Sequence, residues 1–173
     1  GHYRDIESVN YHAAALVLGV DSDTVLRSLA IKSRDNARTP MQWDDTAYGG
    51  FTTGEPWLPI NPNHSTINAV AAQADPRSVF AHYQELIALR HTHPVVVDGR
   101  FELLLPDHEQ LWVITRTLGR ERLLVLANCS SYAVTAVPDE LPPLAGAEVL
   151  LATHPGRTGL DLAPWESRVY ALQ

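Results

Sequence analysis

The residues best suited to chemistry in this sequence lie together in one stretch, residues 33–63, which reads SRDNARTPMQWDDTAYGGFTTGEPWLPINPN. Arg34 and Arg38 present planar guanidinium groups, whose paired N–H donors suit carboxylates and vicinal hydroxyls. Trp43 and Trp57 offer flat apolar faces to a sugar ring, with the indole N–H as a further donor. These residue types favour recognition of a hydroxyl-rich ligand. Arg38, where a predicted helix meets a loop, is placed to hold a hydroxyl while it pairs with an acid.

Each of these side chains also has a purely structural interpretation. Arg34 and Arg38 lie four residues apart, so on a continuing helix they would share one face, with Asp35 close to one turn before Arg38. From the residues alone, an ion pair that ties the loop to its neighbours is the favoured interpretation of Arg38. For Trp57, an anchor that fixes the loop to a core is favoured in the same way.

The sequence contains no complete catalytic set of its own. Asp44 and Asp45 are neighbours on a turn, whereas the two carboxylates of a glycosidase face each other at about 5 to 9.5 Å and come from different segments. Ser130 and Ser131 lack the G-x-S-x-G elbow of a serine hydrolase. The eight histidines include no H-E-x-x-H motif, so neither a metal site nor another cofactor is predicted.

Composition limits the partners of the protein. A chain of 173 residues with 45% hydrophobic and 19% charged residues is expected to form one or two globular domains. A net charge of -7 without a basic run disfavours nucleic acid. Cys129 is the single cysteine, so no internal disulfide is possible. No run approaches the roughly 20 apolar residues of a membrane span, and a cytoplasmic location is the default expectation.

The first half of the chain reads as three helices. One is predicted from near residue 1 to Gly19, with nothing before it to act as an N-terminal cap. A second is predicted from a cap at Ser22 or Asp23 to the proline at position 40, because a residue that precedes proline is pushed out of helical geometry. The third runs over residues 75–93 and has the clearest helical periodicity.

A long irregular loop is predicted between the last two helices. Residues 40–76 hold five of the twelve prolines and show no helical or strand period. Loops much longer than about 15 residues in compact proteins are usually functional or disordered. The aromatic residues of this loop favour function, since disordered segments are poor in them.

Short strand-like runs replace the helices after about residue 97. Turn signals such as Pro-Asp and Pro-Gly separate six of these runs, which read FELLL, QLWVITRT, RLLVLAN, YAVTAV, EVLLA and SRVYAL. Closely spaced strands without intervening helices favour an antiparallel sandwich. The sequence therefore predicts an α+β chain in which residues 1–97 form one domain and residues 98–173 an antiparallel β-sandwich.

Three segments of the chain resemble a known family. They are RDIESVNYH, the stretch of residues 33–63, and a longer segment that begins INAVAAQADPRSVFAHYQELIALRHTHPVV and continues into the first strands. Together they resemble the C-terminal part of bacterial α-glucosidases of the α-amylase superfamily, glycoside hydrolase family 13, in the oligo-1,6-glucosidase and trehalose-6-phosphate hydrolase group. The string RDNARTPMQWD, residues 34–44, is the most specific part of the resemblance.

The resemblance implies a fold and an activity. Residues 1–97 would be the helical C-terminal remnant of a (β/α)8 barrel, namely the region after the eighth strand and the last helix. The catalytic carboxylates of the family lie upstream of this region, so the parent would be a retaining α-glucosidase and the fragment alone would be inactive. Helix faces that pack on the barrel would be bare in the fragment, which favours association or aggregation, whereas the parent is expected to be a monomer.

The resemblance also implies roles for individual residues. Arg38 matches the arginine that helps to bind the non-reducing glucose of an α-linked gluco-oligosaccharide, and it becomes the first candidate for a substrate contact. Arg34 matches a nearby arginine with a more structural role. Asp35 and Trp43 are further candidates to line the pocket or to anchor the loop. The metal site and the linkage-selecting segment of the family lie upstream, so no metal and no linkage specificity are predicted.

Two other interpretations stay open at this level. Amino-acid transporter heavy chains share the TPMQWD neighbourhood and serve as non-catalytic, partner-binding ectodomains. They would need a membrane span, and the glycosylation-type triplets at Asn63 and Asn128 are the only features here that favour them. A free-standing carbohydrate-binding sandwich would need a row of exposed aromatic residues on its strands, and the sequence shows no such row.

Overall fold

The computed structural model describes residues 3–173, with Pro138 described by its backbone alone. It divides into two compact units, Gly1–Ser78 and Val79–Gln173. The first unit contains three α-helices within its described part: α1 (Ile6–Val17), α2 (Ser22–Lys32) and α3 (Ala69–Ala74). The second contains α4 (Val79–Thr92) and α5 (Val95–Asp98), then the strands β1 (Arg100–Leu103), β2 (Leu111–Leu118), β3 (Glu121–Asn128), β4 (Val134–Thr135), β5 (Glu148–Ala152), β6 (Asp161–Leu162) and β7 (Ser167–Leu172).

Helix α1 begins later than the sequence predicts, and it does have a cap. The side chain of Asp5 accepts a hydrogen bond from the backbone N–H of Ser8, 3.3 Å away, which satisfies one of the free donors of the first turn. The prediction of an uncapped helix from near residue 1 is therefore wrong for residues 3–5, while residues 1 and 2 lie outside the described part. Gly19 follows the helix with a φ of +79°, as expected of a glycine that ends a helix.

Helix α2 differs from the prediction at both ends. Its cap is Asp21, which accepts from the backbone N–H of Thr24 at 3.0 Å, so the predicted caps Ser22 and Asp23 lie inside the helix. The helix ends at Lys32 because Ser33 is extended, with φ −62° and ψ 137°. A separate 3₁₀ turn, Arg34–Ala37, follows.

The buried core of the first unit is small. Ala15, Val25 and Leu29 form it, with Tyr3 packed against them. Many apolar positions that the helical spacing assigns to a buried face are exposed instead: Ile6, Val9, Tyr11 and Leu16 on α1, and Val79, Phe80, Tyr83 and Ile87 on α4. Much of the apolar side-chain surface of these two helices is thus uncovered in this chain.

The long loop is less irregular than predicted. Helix α3 lies within it, capped by the side chain of Asn68, which accepts from the N–H of Ala71 at 2.8 Å. A run of six residues is too short to show helical periodicity in the sequence. Helix α4 confirms the prediction over residues 75–93 within a few residues, whereas α5, a single turn that follows Pro94, was not predicted.

The strands form the predicted antiparallel sandwich. Five of them pair antiparallel in the order β1-β2-β3-β7-β5, and β4 pairs with β6 in a second, two-stranded sheet. The core joins alternate residues of the large sheet to residues in or beside the small one: Leu111, Val113, Leu124, Leu126 and Tyr170 with Ala136 and Leu162. Strand β6, with only two residues, was missed. The mixed helical and antiparallel fold class is confirmed.

Candidate functional site

The 3₁₀ turn Arg34–Ala37 positions Arg38 against Asp35. The side chain of Ser33 accepts from the backbone N–H of Asp35 at 3.3 Å and so starts the turn. Arg38 follows the turn, and its Nη2 donates to Oδ1 of Asp35 at 2.5 Å. The pair predicted from the spacing of a continuing helix is thus made by a separate, tighter turn, since the helix itself has already ended at Lys32.

Asp35 is held by the backbone as well as by Arg38. Its carboxylate is buried, and Oδ2 accepts from the backbone N–H groups of Arg4, at 2.6 Å, and Asp5, at 2.9 Å. Burial would raise the pKa of Asp35. The two backbone donors and the Arg38 guanidinium outweigh it and hold the pKa below its ordinary value. The carboxylate therefore stays ionised and fixed, which makes it a firm anchor for Arg38.

A second ion pair lies beside the first. Nη2 and Nε of Arg34 donate to Oδ1 of Asp5 at 2.5 and 3.1 Å, and Nη2 of Arg38 lies 3.8 Å from the same oxygen. Oδ2 of Asp5 accepts from the hydroxyl of Ser8 at 3.0 Å. The bond from Arg34 is the main reason that the pKa of Asp5 is lowered. Asp5 was not among the candidates from sequence, although an aspartate just before an apolar helical run is a capping signal.

Trp57 also contacts the Arg38 guanidinium. The Cζ atom of Arg38 is 5.5 Å from the centroid of the Trp57 ring, within the range of a cation–π contact. Trp57 is 59% exposed, so it does not anchor the loop in a core as its sequence suggested. The neighbouring residue, Leu58, is 2% exposed and is the buried residue at this point of the loop.

Arg38 retains unused hydrogen-bonding capacity. Within residues 3–173, its Nη2 is bonded to Asp35, while its Nε and Nη1 have no hydrogen-bond partner. The side chain is 41% exposed. A guanidinium that is fixed at one nitrogen and over one face, with two donor nitrogens free, can bind the vicinal hydroxyls of a ligand.

Trp43 and Asp44 belong to a tight turn rather than to the Arg38 cluster. Asp44 Oδ1 accepts from the N–H and the hydroxyl of Thr46, and the hydroxyl bond is the first cause of its lowered pKa. Gly50 has a φ of +65°, and a Cβ there would lie 2.5 Å from Asp44 Oδ2, so the turn requires glycine. Trp43 is half exposed, and its role at a pocket stays a prediction.

Other features of the sequence lead to no second site. No group of three or more metal-ligating side chains occurs within residues 3–173, and no helix in that same range could cross a membrane. Asn128, one of the two glycosylation-type asparagines, is buried, and its side chain donates to the carbonyls of Tyr132 and Ala163 at 2.6 and 2.8 Å. An asparagine so enclosed is not accessible to a glycosyl donor, which removes part of the support for the transporter-type interpretation.

Comparison with known families identifies the class of protein. Residues 6–99 match the model described as the catalytic domain of α-amylase, and residues 99–169 match a domain of unknown function, DUF3459. The first match covers more than half of the chain, and the chain therefore belongs to the α-amylase family.

Individual relatives place the chain more narrowly within that family. It is 42% identical to the oligo-1,6-glucosidase of Parageobacillus thermoglucosidasius over 99% of this chain and 32% of the relative. The structure of Bacillus licheniformis trehalose-6-phosphate hydrolase superposes with a TM-score of 0.87 at 34% identity, over 98% of this chain and 32% of the other. The structure of isomaltulose synthase from Klebsiella sp. LX3 superposes with a TM-score of 0.82 at 37% identity, over 99% of this chain and 32% of the other.

The chain thus spans about a third of the length of these relatives. The resemblance to the oligo-1,6-glucosidase and trehalose-6-phosphate hydrolase group that the sequence indicated is confirmed.

Proposed function

We propose that this chain is the C-terminal part of a retaining α-glucosidase that hydrolyses α-glucosidic bonds of short oligosaccharides. In this proposal the catalytic carboxylates belong to upstream polypeptide, and the chain alone is inactive. It contributes one wall of the glucose-binding pocket and the β-sandwich. The parent is a cytoplasmic monomer, and the domain boundary lies between residues 97 and 98. The meeting of the two family matches at residue 99 supports this boundary, whereas the two compact units of the structure meet between Ser78 and Val79.

The observation that carries the proposal is how the Arg38 guanidinium is held and which of its nitrogens have no partner among the described residues. It is the residue that the resemblance marks as a glucose contact, and it combines a fixed guanidinium with two donor nitrogens that have no partner within residues 3–173. Arg34 differs in that two of its nitrogens, Nε and Nη2, already donate to Asp5, although its side chain is 55% exposed.

The exposed apolar side chains of α1 and α4 support the proposal that this chain packs against upstream polypeptide. Val17 and Val79 are 87% and 74% exposed, and several other large apolar side chains on these two helices are more than half exposed. Large apolar side chains exposed to this degree along a helix are typical of surface that another part of a protein covers. The upstream barrel of the proposed parent would supply that cover.

The test compares the complete polypeptide encoded at the locus of this chain with residues 1–173 alone. Each is assayed with p-nitrophenyl α-glucoside, isomaltose and trehalose 6-phosphate, and products are separated to tell hydrolysis from isomerisation. We expect glucose release by the complete polypeptide and none by the chain alone. Turnover by clean residues 1–173 would contradict the proposal. A complete polypeptide with a membrane span and no catalytic carboxylates would favour the transporter-type alternative.

The same assay tests the role of Arg38. Arg38→Ala in the complete polypeptide is expected to lower kcat/KM by about 10- to 100-fold, the usual loss for a charged hydrogen-bond donor. Arg77→Ala is the matched control, because Arg77 is 85% exposed and only loosely paired, at 3.9 Å, with Asp75. Equal activity of the two variants would show that Arg38 makes no contact with the substrate.

A further inference from the structure

We propose that Trp57 is a positioning residue for Arg38: its indole face holds the guanidinium in the plane that leaves Nε and Nη1 free for the ligand. This inference rests on the proposed function, in which Arg38 contacts the sugar. Trp57 itself is not assigned a contact with the substrate. Its effect on binding is exerted through the orientation of Arg38.

Within residues 3–173, the Trp57 ring contacts a cation, the Arg38 guanidinium. Its side chain is 59% exposed, whereas Leu58 beside it is 2% exposed and supplies the apolar contact that fixes this point of the loop. With Leu58 directed inward, the loop presents Trp57 outward, and the ring meets the guanidinium of Arg38 at 5.5 Å. The contact with the Arg38 guanidinium stabilises this position of the ring.

Asp35 alone does not fix the orientation of Arg38. The ion pair joins a single nitrogen, Nη2, to a single oxygen, Oδ1, so the guanidinium can still rotate about that bond. The Trp57 ring, whose centroid lies 5.5 Å from Cζ of Arg38, restricts this rotation, since the ring quadrupole favours a cation placed over the aromatic face. The two contacts together restrict both the position and the orientation of the remaining donors.

A fixed plane matters because a free arginine loses rotamer freedom when it binds a ligand. Removing that freedom before binding lowers the cost of association. Loss of Trp57 should therefore leave the ion pair with Asp35 in place and weaken the interaction with the sugar. A residue that only stabilised the fold would act regardless of whether Arg38 were present.

The first arm of the test reads the stacking directly and needs no substrate. The complete polypeptide is labelled with [15N]arginine, and the Nε–Hε resonance of Arg38, assigned by its absence from Arg38→Ala, is compared in three forms. We expect the Hε resonance of Arg38 to show an upfield ring-current shift in the unsubstituted polypeptide. This shift should be lost in Trp57→Leu and partly retained in Trp57→Phe. An Hε shift unchanged by Trp57→Leu would overturn the inference, whatever the catalytic results.

The second arm is a double-mutant cycle in the same polypeptide. Trp57→Leu is expected to lower kcat/KM by about two- to fivefold. Trp57→Phe should keep most of the kcat/KM of the unsubstituted polypeptide. In a polypeptide that already carries Arg38→Ala, Trp57→Leu should lower kcat/KM no further. Trp112→Leu is the matched control, because Trp112 is also half exposed and belongs to β2 of the second unit. It should leave kcat/KM unchanged, and thermal unfolding checks that all variants are folded.

The outcomes separate the two proposals. If Arg38→Ala retains full activity, the proposed substrate contact fails, and the resonance of Arg38 still reports on the stacking. If Arg38→Ala loses activity while Trp57→Leu is neutral, or if the two losses add, the positioning role fails and the proposed function stands. Non-additive losses with rescue by Trp57→Phe support both.

Discussion

Two arginine–carboxylate pairs in this protein use the same chemistry in opposite ways. In the first unit, Arg38 pairs with Asp35 while its side chain remains 41% exposed. In the second, Arg168 and Glu166 are both fully buried, with Nε and Nη2 of Arg168 at 2.7 and 2.6 Å from Oε1 of Glu166. The two pairs differ in how many donor nitrogens remain free.

Arg168 has a partner for each of its nitrogens. Besides the bonds to Glu166, Nη1 donates to the carbonyl of Gly159 at 2.8 Å and Nη2 to that of Asp161 at 2.6 Å. Oε2 of Glu166 accepts from the N–H of Ala163 at 2.6 Å. Burial would raise the pKa of Glu166, but Ala163 and Arg168 hold it below its ordinary value.

The comparison shows how burial decides the role of an ion pair. A charge without water must satisfy its hydrogen bonds within the protein, and a pair that does so is structural. A half-exposed pair can leave donors to the solvent, where a ligand can take them. Arg168 therefore fixes the loops of the β-sandwich, and Arg38 is available for recognition.

The largest effect is expected from removal of Arg168. Arg168→Met leaves the buried carboxylate of Glu166 without its main partner, which should cost about 3 to 5 kcal/mol of unfolding free energy. Arg157→Met, the control, removes a half-exposed arginine 3.1 Å from the same carboxylate and should cost less than about 1 kcal/mol. Urea unfolding followed by circular dichroism measures both. Equal losses would mean that the buried pair is no more important than a surface pair.

An intermediate effect is expected from the charge of Asp35. Its pKa is lowered in the folded state, so its contribution to stability is complete above the unfolded value of about 3.9 and is lost as pH falls through the folded pKa. The urea concentration at which half of the protein is unfolded should thus fall as the pH is lowered from about 4. Asp35→Asn should lower the midpoint at pH 7 and flatten its fall in acid.

The control for this prediction is Asp75→Asn, because the carboxylate of Asp75 is half exposed, lies 3.9 Å from Nε of Arg77 and accepts from the backbone N–H of Arg77 at 2.9 Å, a bond that an asparagine Oδ1 can also accept. It should leave the urea concentration at the unfolding midpoint at pH 7 close to that of the parent. If Asp35→Asn keeps the full acid dependence of the parent, the Asp35 carboxylate is not the charge that holds the turn.

The smallest effect is a gain in stability at Thr115. This residue on β2 is fully buried, and its hydroxyl has no hydrogen-bond partner within residues 3–173. Thr115→Val keeps the shape and removes the unsatisfied group, which should stabilise by about 1 kcal/mol. Thr117→Val, on the same face of the strand but only partly buried, should change stability little. A loss of stability in Thr115→Val would indicate a partner for the hydroxyl.

Several elements could be predicted from the sequence because their signals are local and repeated. Helix α4 has fourteen residues with regular apolar spacing, and the longer strands of the second unit alternate between turn signals. Short elements carry no such signal, and α3, α5 and β6 were missed for that reason. The cap Asp5 was missed because the first helix is predicted to start near residue 1. The cap Asp21 was misassigned because several adjacent polar residues could serve, and only the backbone path selects one.

The candidate site was predictable in part. Arg34, Asp35 and Arg38 were selected by residue type, spacing and resemblance, and the structure does bring them together. The partners Asp5 and Trp57 could not be chosen from the sequence, since one lies about thirty residues before the turn and the other about twenty after it. Trp57 in particular is an ordinary tryptophan in sequence, and only the inward direction of Leu58 shows that it faces Arg38.

The sequence by itself determined the family, the order of helices before strands, and the residue types at the site, because these follow from local patterns and from a long specific motif. Tertiary structure alone decided which arginine keeps donors without a partner within residues 3–173. Arg168 and Arg38 have the same side chain, and nothing in their immediate sequence indicates that one is fully buried and the other half exposed. That difference depends on packing between distant segments, which determines how much water reaches each charge.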